Sequence, residues 1–165
     1  AARGRRRARE ARAEARLVAR AFGLRPRAAR YLGTSANATV RLETDGGPVV
    51  VRLSDGSRDE PETRSELAFV AAVREAGILA PEYLLRPNGR PTFARRAGSG
   101  VRVGLVARWI DGPLLCDAWT ETAATEFGHT IRRLHAATAA WTPPPGFVRW
   151  RYDGIRVEDG DLPDP

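Results

Sequence analysis

Apolar and polar residues alternate from Ala38 to Thr44, in the order Ala-Thr-Val-Arg-Leu-Glu-Thr, which is the period-two signature of a half-buried strand. Asp45-Gly46-Gly47 follows as a hairpin turn, and Pro48-Val49-Val50-Val51-Arg52-Leu53 returns as a short buried strand closed by Asp55-Gly56. An earlier strand is predicted over 28–33, ahead of the turn-like Gly33-Thr34-Ser35-Ala36-Asn37. Beyond the second loop the period lengthens. Glu66, Phe69, Val70 and Val73 fall at i, i+3, i+4 and i+7, so they share one face of a helix predicted over 59–76. Asp59 or Glu60 caps it, Pro61 suits its first turn, and Gly77 ends it. Short extended runs at 82–86 and 91–96, the turns Asn88-Gly89 and Gly98-Ser99-Gly100, and the alternating run 101–110 form a meander, which Asp111-Gly112-Pro113 breaks. A long helix follows over 120–140, with Thr120 as cap and an apolar line through Ala124, Phe127, Ile131, Leu134 and Thr138.

The chain opens differently. Residues 3–22 are rich in Ala and Arg, both good helix formers, but an apolar stripe starts only with Leu17, Val18, Ala21 and Phe22. The pattern predicts a frayed basic lead-in and then a docked helix stopping at Gly23. From Trp141 the chain turns Pro-rich, and it ends in an acidic, irregular tail. Helix, three strands, helix, two or three strands, helix, with antiparallel hairpins throughout, is an α+β pattern. No internal repeat is visible.

Charge sharpens this division. Residues 1–30 hold eleven Arg and two Glu, whereas residues 31–165 hold sixteen Arg and eighteen acids, so the net +7 belongs to the N-terminal segment. There is no Lys, Gln or Met, an avoidance that fits the codon bias of a GC-rich genome. Arginine richness alone therefore does not argue for nucleic-acid binding. No aromatic residue is interleaved in the basic head, and an acidic surface or nucleic acid remains only a secondary expectation for it. No apolar run is long enough to span a bilayer, no signal pattern opens the chain, and the single Cys116 makes no internal disulfide. The expectation is a soluble, cytoplasmic chain without a membrane span. There is no Cys/His metal spacing, no G-x-S-x-G and no phosphate-binding G-x-x-x-x-G-K motif.

Two charges stand on otherwise apolar surfaces. Arg52 interrupts a buried strand, and Glu66 sits on the apolar stripe of the next helix. A helix packed across an antiparallel sheet brings them together, each offsetting the other's desolvation and leaving arginine donors for a phosphate. A purely structural pair, or an arginine on the wet face of the sheet, satisfies the same pattern.

Several segments resemble, in order, the N-terminal half of the aminoglycoside phosphotransferase and homoserine kinase superfamily, relatives of the protein kinases. They are SANATVRLETDGGPVVVRL, RSELAFVAAVREAGI, GLVARWIDGPLL, FGHTIRRLHAAT and WTPPPGFVRWRYDG, and the resemblance covers about residues 17–155. It implies a kinase-like N-lobe, with a twisted antiparallel sheet of about five strands and one packed helix, followed by a hinge and the first helix of a helical lobe. By the resemblance Arg52 takes the place of the cation on the nucleotide's α/β-phosphates, and Glu66 orients it. Ser35, Asn37 and the amides of their loop match the segment closing over the phosphates, although an ordinary hairpin turn reads the same way. Arg108 to Ile110 match the hinge whose backbone meets the adenine edge, with Ala107 behind the adenine and Trp109 as packing.

The implied cofactor is ATP, with Mg²⁺ expected only together with the remaining lobe, and the implied partners are a nucleotide and a small-molecule hydroxyl acceptor. One departure matters. The family's catalytic loop reads H-x-D…N, but His129 is followed by Thr130-Ile131 and His135 by Ala136-Ala137, and the acids from Asp153 to Asp164 lack metal-binding spacing. No catalytic residue and no metal ligand is assigned. The expected divisions are 1–16 as a basic lead-in, frayed or helical, 17–110 as nucleotide-binding lobe, 111–152 as hinge and start of a helical lobe, and 153–165 as acidic tail. Phe147, Trp150 and Tyr152 are expected to be exposed, promoting self-association. The reading is the ATP-binding lobe of a small-molecule kinase. A non-catalytic kinase remnant or binding module is the alternative, and a nucleic-acid or acidic-surface binder a second.

Overall fold

A computed structural model describes residues 2–34, 37–54, 60–97, 100–113 and 117–148. The elements are α1 (Ala2–Ala21), β1 (Pro26–Thr34), β2 (Asn37–Thr44), β3 (Val49–Ser54), α2 (Glu60–Glu75), β4 (Phe93–Ala97), β5 (Gly100–Arg108) and α3 (Glu121–Ala140). The five strands form one sheet in the order β1-β2-β3-β5-β4, antiparallel at every junction. The β2–β3 hairpin keeps an uninterrupted register from Asn37↔Ser54 to Leu42↔Val49, as the alternation of residues 38–53 requires. The outer half of β5 takes a further partner. Leu84 N–H donates to Val106 O and Arg108 N–H to Glu82 O, so residues 82–84 extend the sheet edge beside β4.

Alternation divides the sheet into two faces. Val40, Leu42, Val49, Val51, Leu53 and Val106 are buried together with Ala11, Ala15, Val18, Ala19 and Phe22 of the N-terminal segment. The helix that seals the main core is therefore α1, and no residue of α2 belongs to that core cluster. The expected sheet and the helix over 59–76 are both present, and the basic lead-in, expected frayed or helical, is helical and docks on the sheet. The helix begins at Ala2, and its docking surface reaches back to Ala11 and Ala15. Small alanines let helix and sheet approach closely while adding little to an apolar count. Gly104 of β5 shows how close the approach is, since a Cβ there would lie 2.8 Å from a methyl carbon of Val18.

The opposite face carries Thr39, Arg41, Val50, Arg52 and Ala107. There α2 stands off the strands and reaches them through long side chains. Its other side holds the C-terminal elements. Trp141 lies between Phe69 of α2 and Phe147, with ring centroids 5.3 Å and 5.1 Å away. Ser65 Oγ donates to Pro61 O and accepts from Val148 N–H, each at 2.9 Å, and Arg133 donates to Gly77 O at 2.7 Å. Phe147 is thus half-buried, not exposed as expected, because Trp141 supplies a partner that a linear reading does not show. Trp150 and Tyr152 lie outside the described residues. Thr120 caps α3 by accepting from Ala123 N–H, as its position predicted. The apolar line of α3 is only partly covered among the described residues, for Ala124, Ile131 and Leu134 are half-buried and Phe127 is exposed.

Candidate functional site

β3 delivers Arg52 to the open face because Val51 and Leu53, on either side of it, point into the α1 core. Across the gap, α2 presents Glu66. The two groups meet in a bidentate clasp, with Nη1 to Oε1 at 2.5 Å and Nη2 to Oε2 at 2.7 Å. Their side chains are 27% and 25% exposed, so the pair is shielded but not sealed. Two of the five guanidinium N–H donors are spent on Glu66, and the other three have no acceptor among the described residues. The arginine is thus fixed in direction and still able to bind an anion.

Tyr83 completes the group. Its bridge to Ala107 puts it on the same face, and its ring lies under the Arg52 guanidinium at 6.0 Å. Burial pushes the Tyr83 phenol above its ordinary pKa, and the negative charge of Glu66 adds to this while Arg52 opposes it. For Arg52, burial favours the neutral form, but the hydrogen bond it donates to Glu66 and the charges of Tyr83 and Glu66 outweigh it, holding the pKa above the usual arginine value. Tyr83 was not among the residues expected from sequence. Its only signal there was an aromatic residue with a polar end in a short extended run after Pro81.

The remaining expected residues divide. Asn37 opens β2 opposite Ser54, two positions from Thr39, which pairs with Arg52. It therefore lies on the Arg52 side at the mouth of the β1–β2 turn. Ser35 lies outside the described residues. Arg108 ends β5. Its guanidinium donates outward to Gly46 O at 3.2 Å, and its backbone N–H is taken by Glu82 O. Trp109 N–H donates to Pro48 O, its indole N–H donates to Asp111 at 2.8 Å, and the Arg41 guanidinium covers its ring at 4.6 Å. Trp109 is a packing residue, as expected. Ile110 is partly exposed, and its backbone N–H has no partner among the described residues. Ala107 is buried beneath Val50 and Tyr83. His129 and His135 are exposed on α3, away from Arg52's strand. Among the described residues no cluster of His, Cys, Asp or Glu is disposed to hold a metal ion.

A strand cation clasped by a helix carboxylate, beside a hairpin mouth and a strand-to-loop hinge, recurs in kinase-like folds. Consistent with this, the family model described as "Phosphotransferase enzyme family" matches residues 27–160. The chain belongs to that family. No curated protein matches the sequence. Among solved structures, this phosphotransferase-family chain is similar to a microcompartment-associated aminopropanol kinase at 25% identity and a TM-score of 0.66, covering 76% of this chain and 40% of that one. It shares its fold with an amicoumacin kinase solved with AMP-PNP, Ca²⁺ and Ami (16% identity, TM-score 0.72, 87% and 43% covered). A spectinomycin phosphotransferase solved with ADP and spectinomycin shares the fold less closely, at 12% identity and TM-score 0.54, with 76% and 37% covered. The chain spans about two fifths of the length of each. No helix of the described residues is long and apolar enough to cross a membrane.

Proposed function

We propose that residues 17–110 form the ATP-binding lobe of a small-molecule kinase, with the Arg52–Glu66 clasp holding the nucleotide's α- and β-phosphates. The observation that carries this reading is the bidentate geometry at 2.5 and 2.7 Å on a face that keeps three guanidinium N–H groups available. The clasp fixes the guanidinium plane before ligand arrives, so little side-chain entropy is lost on binding. Asn37 and Ser35 flank the phosphates from the β1–β2 turn, and the backbone of Arg108 to Ile110 meets the adenine edge, with the Ile110 N–H as its available donor. Side-chain charge is not needed there, because backbone groups read the base and the arginine handles the phosphates. The whole protein would pass the γ-phosphate to a hydroxyl of a small molecule, with Mg²⁺ bound by groups beyond those assigned here, from the cytoplasm.

The reading is supported by two of the structures named above, which were solved with AMP-PNP or ADP. A second reading, nucleotide binding without catalysis, is favoured by one observation. Neither His129 nor His135 is followed by the Asp of an H-x-D pattern. A thermal-shift titration tests the shared part of both readings. ATP should raise the melting temperature of the wild-type chain, and Glu66→Ala should remove most of that rise. An equal rise in both proteins would show that the clasp is structural only.

A further inference from the structure

The α1 side of the sheet carries a separate concentration of charge. The first three turns of α1 lie over the ends of β2, β3 and β5 and border with them an open-sided cavity of about 410 Å³. Arg3, Arg6, Arg7 and Arg102 line it against one acid, Glu10. The spacing explains the convergence, since positions 3, 6, 7, 10 and 14 fall on one helix face. Glu14, whose side chain is only 10% exposed, is already engaged by Arg102 at 2.9 Å and by Arg95 at 3.6 Å. It anchors Arg102 at the cavity wall and has little charge left to balance the others. Arg6 meets Glu10 at 3.7 Å, while Arg3 and Arg7 have no acid within reach among the described residues.

Ser54, at the end of β3, also lines the cavity. Ser54 is 8% exposed and accepts from Val103 N–H at 2.8 Å, which leaves its O–H hydrogen without an acceptor among the described residues. Ala38 and Leu53 close the apolar side. Like charges converging in a concavity repel one another, and no acid occupies the first turn of α1 to offset them. A multiply charged oxyanion relieves this repulsion, and guanidinium forks match its geometry.

We propose that this cavity binds a small, multiply charged oxyanion of the pyrophosphate class, at a site separate from the Arg52 clasp and independent of the nucleotide reading. Convergence of four guanidinium groups on one concavity favours a compact, multiply charged ligand. Arg5 and Arg9 lie outside the cavity lining and serve as a charge-matched control. Titration calorimetry with inorganic pyrophosphate tests the proposal on the full chain. Arg3→Ala/Arg7→Ala should weaken binding by about tenfold or more, whereas Arg5→Ala/Arg9→Ala should change it by less than about twofold. Alanine is the best helix former, so the double variants should keep α1, and circular dichroism checks this. Absence of binding, or equal losses in the two double variants, would mean diffuse charge and an adventitious ion only. A loss confined to Arg52→Ala would place pyrophosphate in the nucleotide site. Tighter, Arg3/Arg7-dependent binding of a single-stranded oligonucleotide would assign the cavity to nucleic acid. Each of these results overturns the proposal.

Discussion

Arg52 stands between two fully or nearly buried neighbours, Val51 and Leu53, yet keeps about a quarter of its own side chain in solvent. Glu66 makes that position tolerable, since the desolvation cost of the guanidinium is offset by two short charge-assisted hydrogen bonds. Removing the carboxylate leaves the cation shielded and unclasped. Glu66→Ala should lower unfolding stability by about 1–3 kcal/mol, measured by urea denaturation, and Glu66→Gln, which keeps one acceptor, should lose less. Tyr83 gives the site a pH signature. Its phenol is held above the ordinary value near 10 by burial, so the folded state binds that proton more tightly than the unfolded chain. The contribution is fully present below pH about 10 and is lost as pH rises through the folded pKa. Wild type should therefore lose stability over that alkaline range faster than Tyr83→Phe. Identical slopes would place the phenol outside the low-dielectric pocket.

At the level of elements, the contact between Gly104 and Val18 sets how closely α1 lies on the sheet. Gly104→Ala should destabilise the fold by about 1–3 kcal/mol through overpacking, and Val18→Ala in the same chain should recover part of that loss. The two faces of the C-terminal segment should respond differently. Trp141, packed between Phe69 and Phe147 in tilted and edge-to-face contacts, should cost about 1–3 kcal/mol on truncation to alanine. Phe127, 48% exposed on α3, should cost less than about 0.5 kcal/mol. Chemical denaturation of the two variants checks the contrast. The same comparison shows what was legible in the sequence. The β2–β3 hairpin was readable because alternation and a Gly-rich turn act locally. The Arg52–Glu66 pair was readable because each charge interrupts an apolar surface. The reach of α1 was not, because Ala11 and Ala15 carry little hydrophobic signal among arginines. Tyr83 and the Trp141 packing were not either, since their partners lie far along the chain and only the fold brings them together.

For the whole molecule, the proposed reading makes sheet and clasp the nucleotide-binding part of a phosphoryl-transfer enzyme, a chemistry carried by positioning and charge stabilisation. Within these 165 residues no H-x-D pattern supplies a base for an acceptor hydroxyl. The chain should therefore bind nucleotide without turning it over, and an ATP-coupled phosphorylation assay with amino alcohols or amino sugars should stay at background. The central claim is that Arg52 reads phosphate while the hinge reads adenine. Calorimetric titration of ATP and of adenosine into wild type and Arg52→Ala separates these roles most directly. ATP affinity should fall by about tenfold or more in the variant, with adenosine affinity changed by less than about twofold. Equal affinity for ATP in the two proteins, or a parallel loss of adenosine, would contradict it.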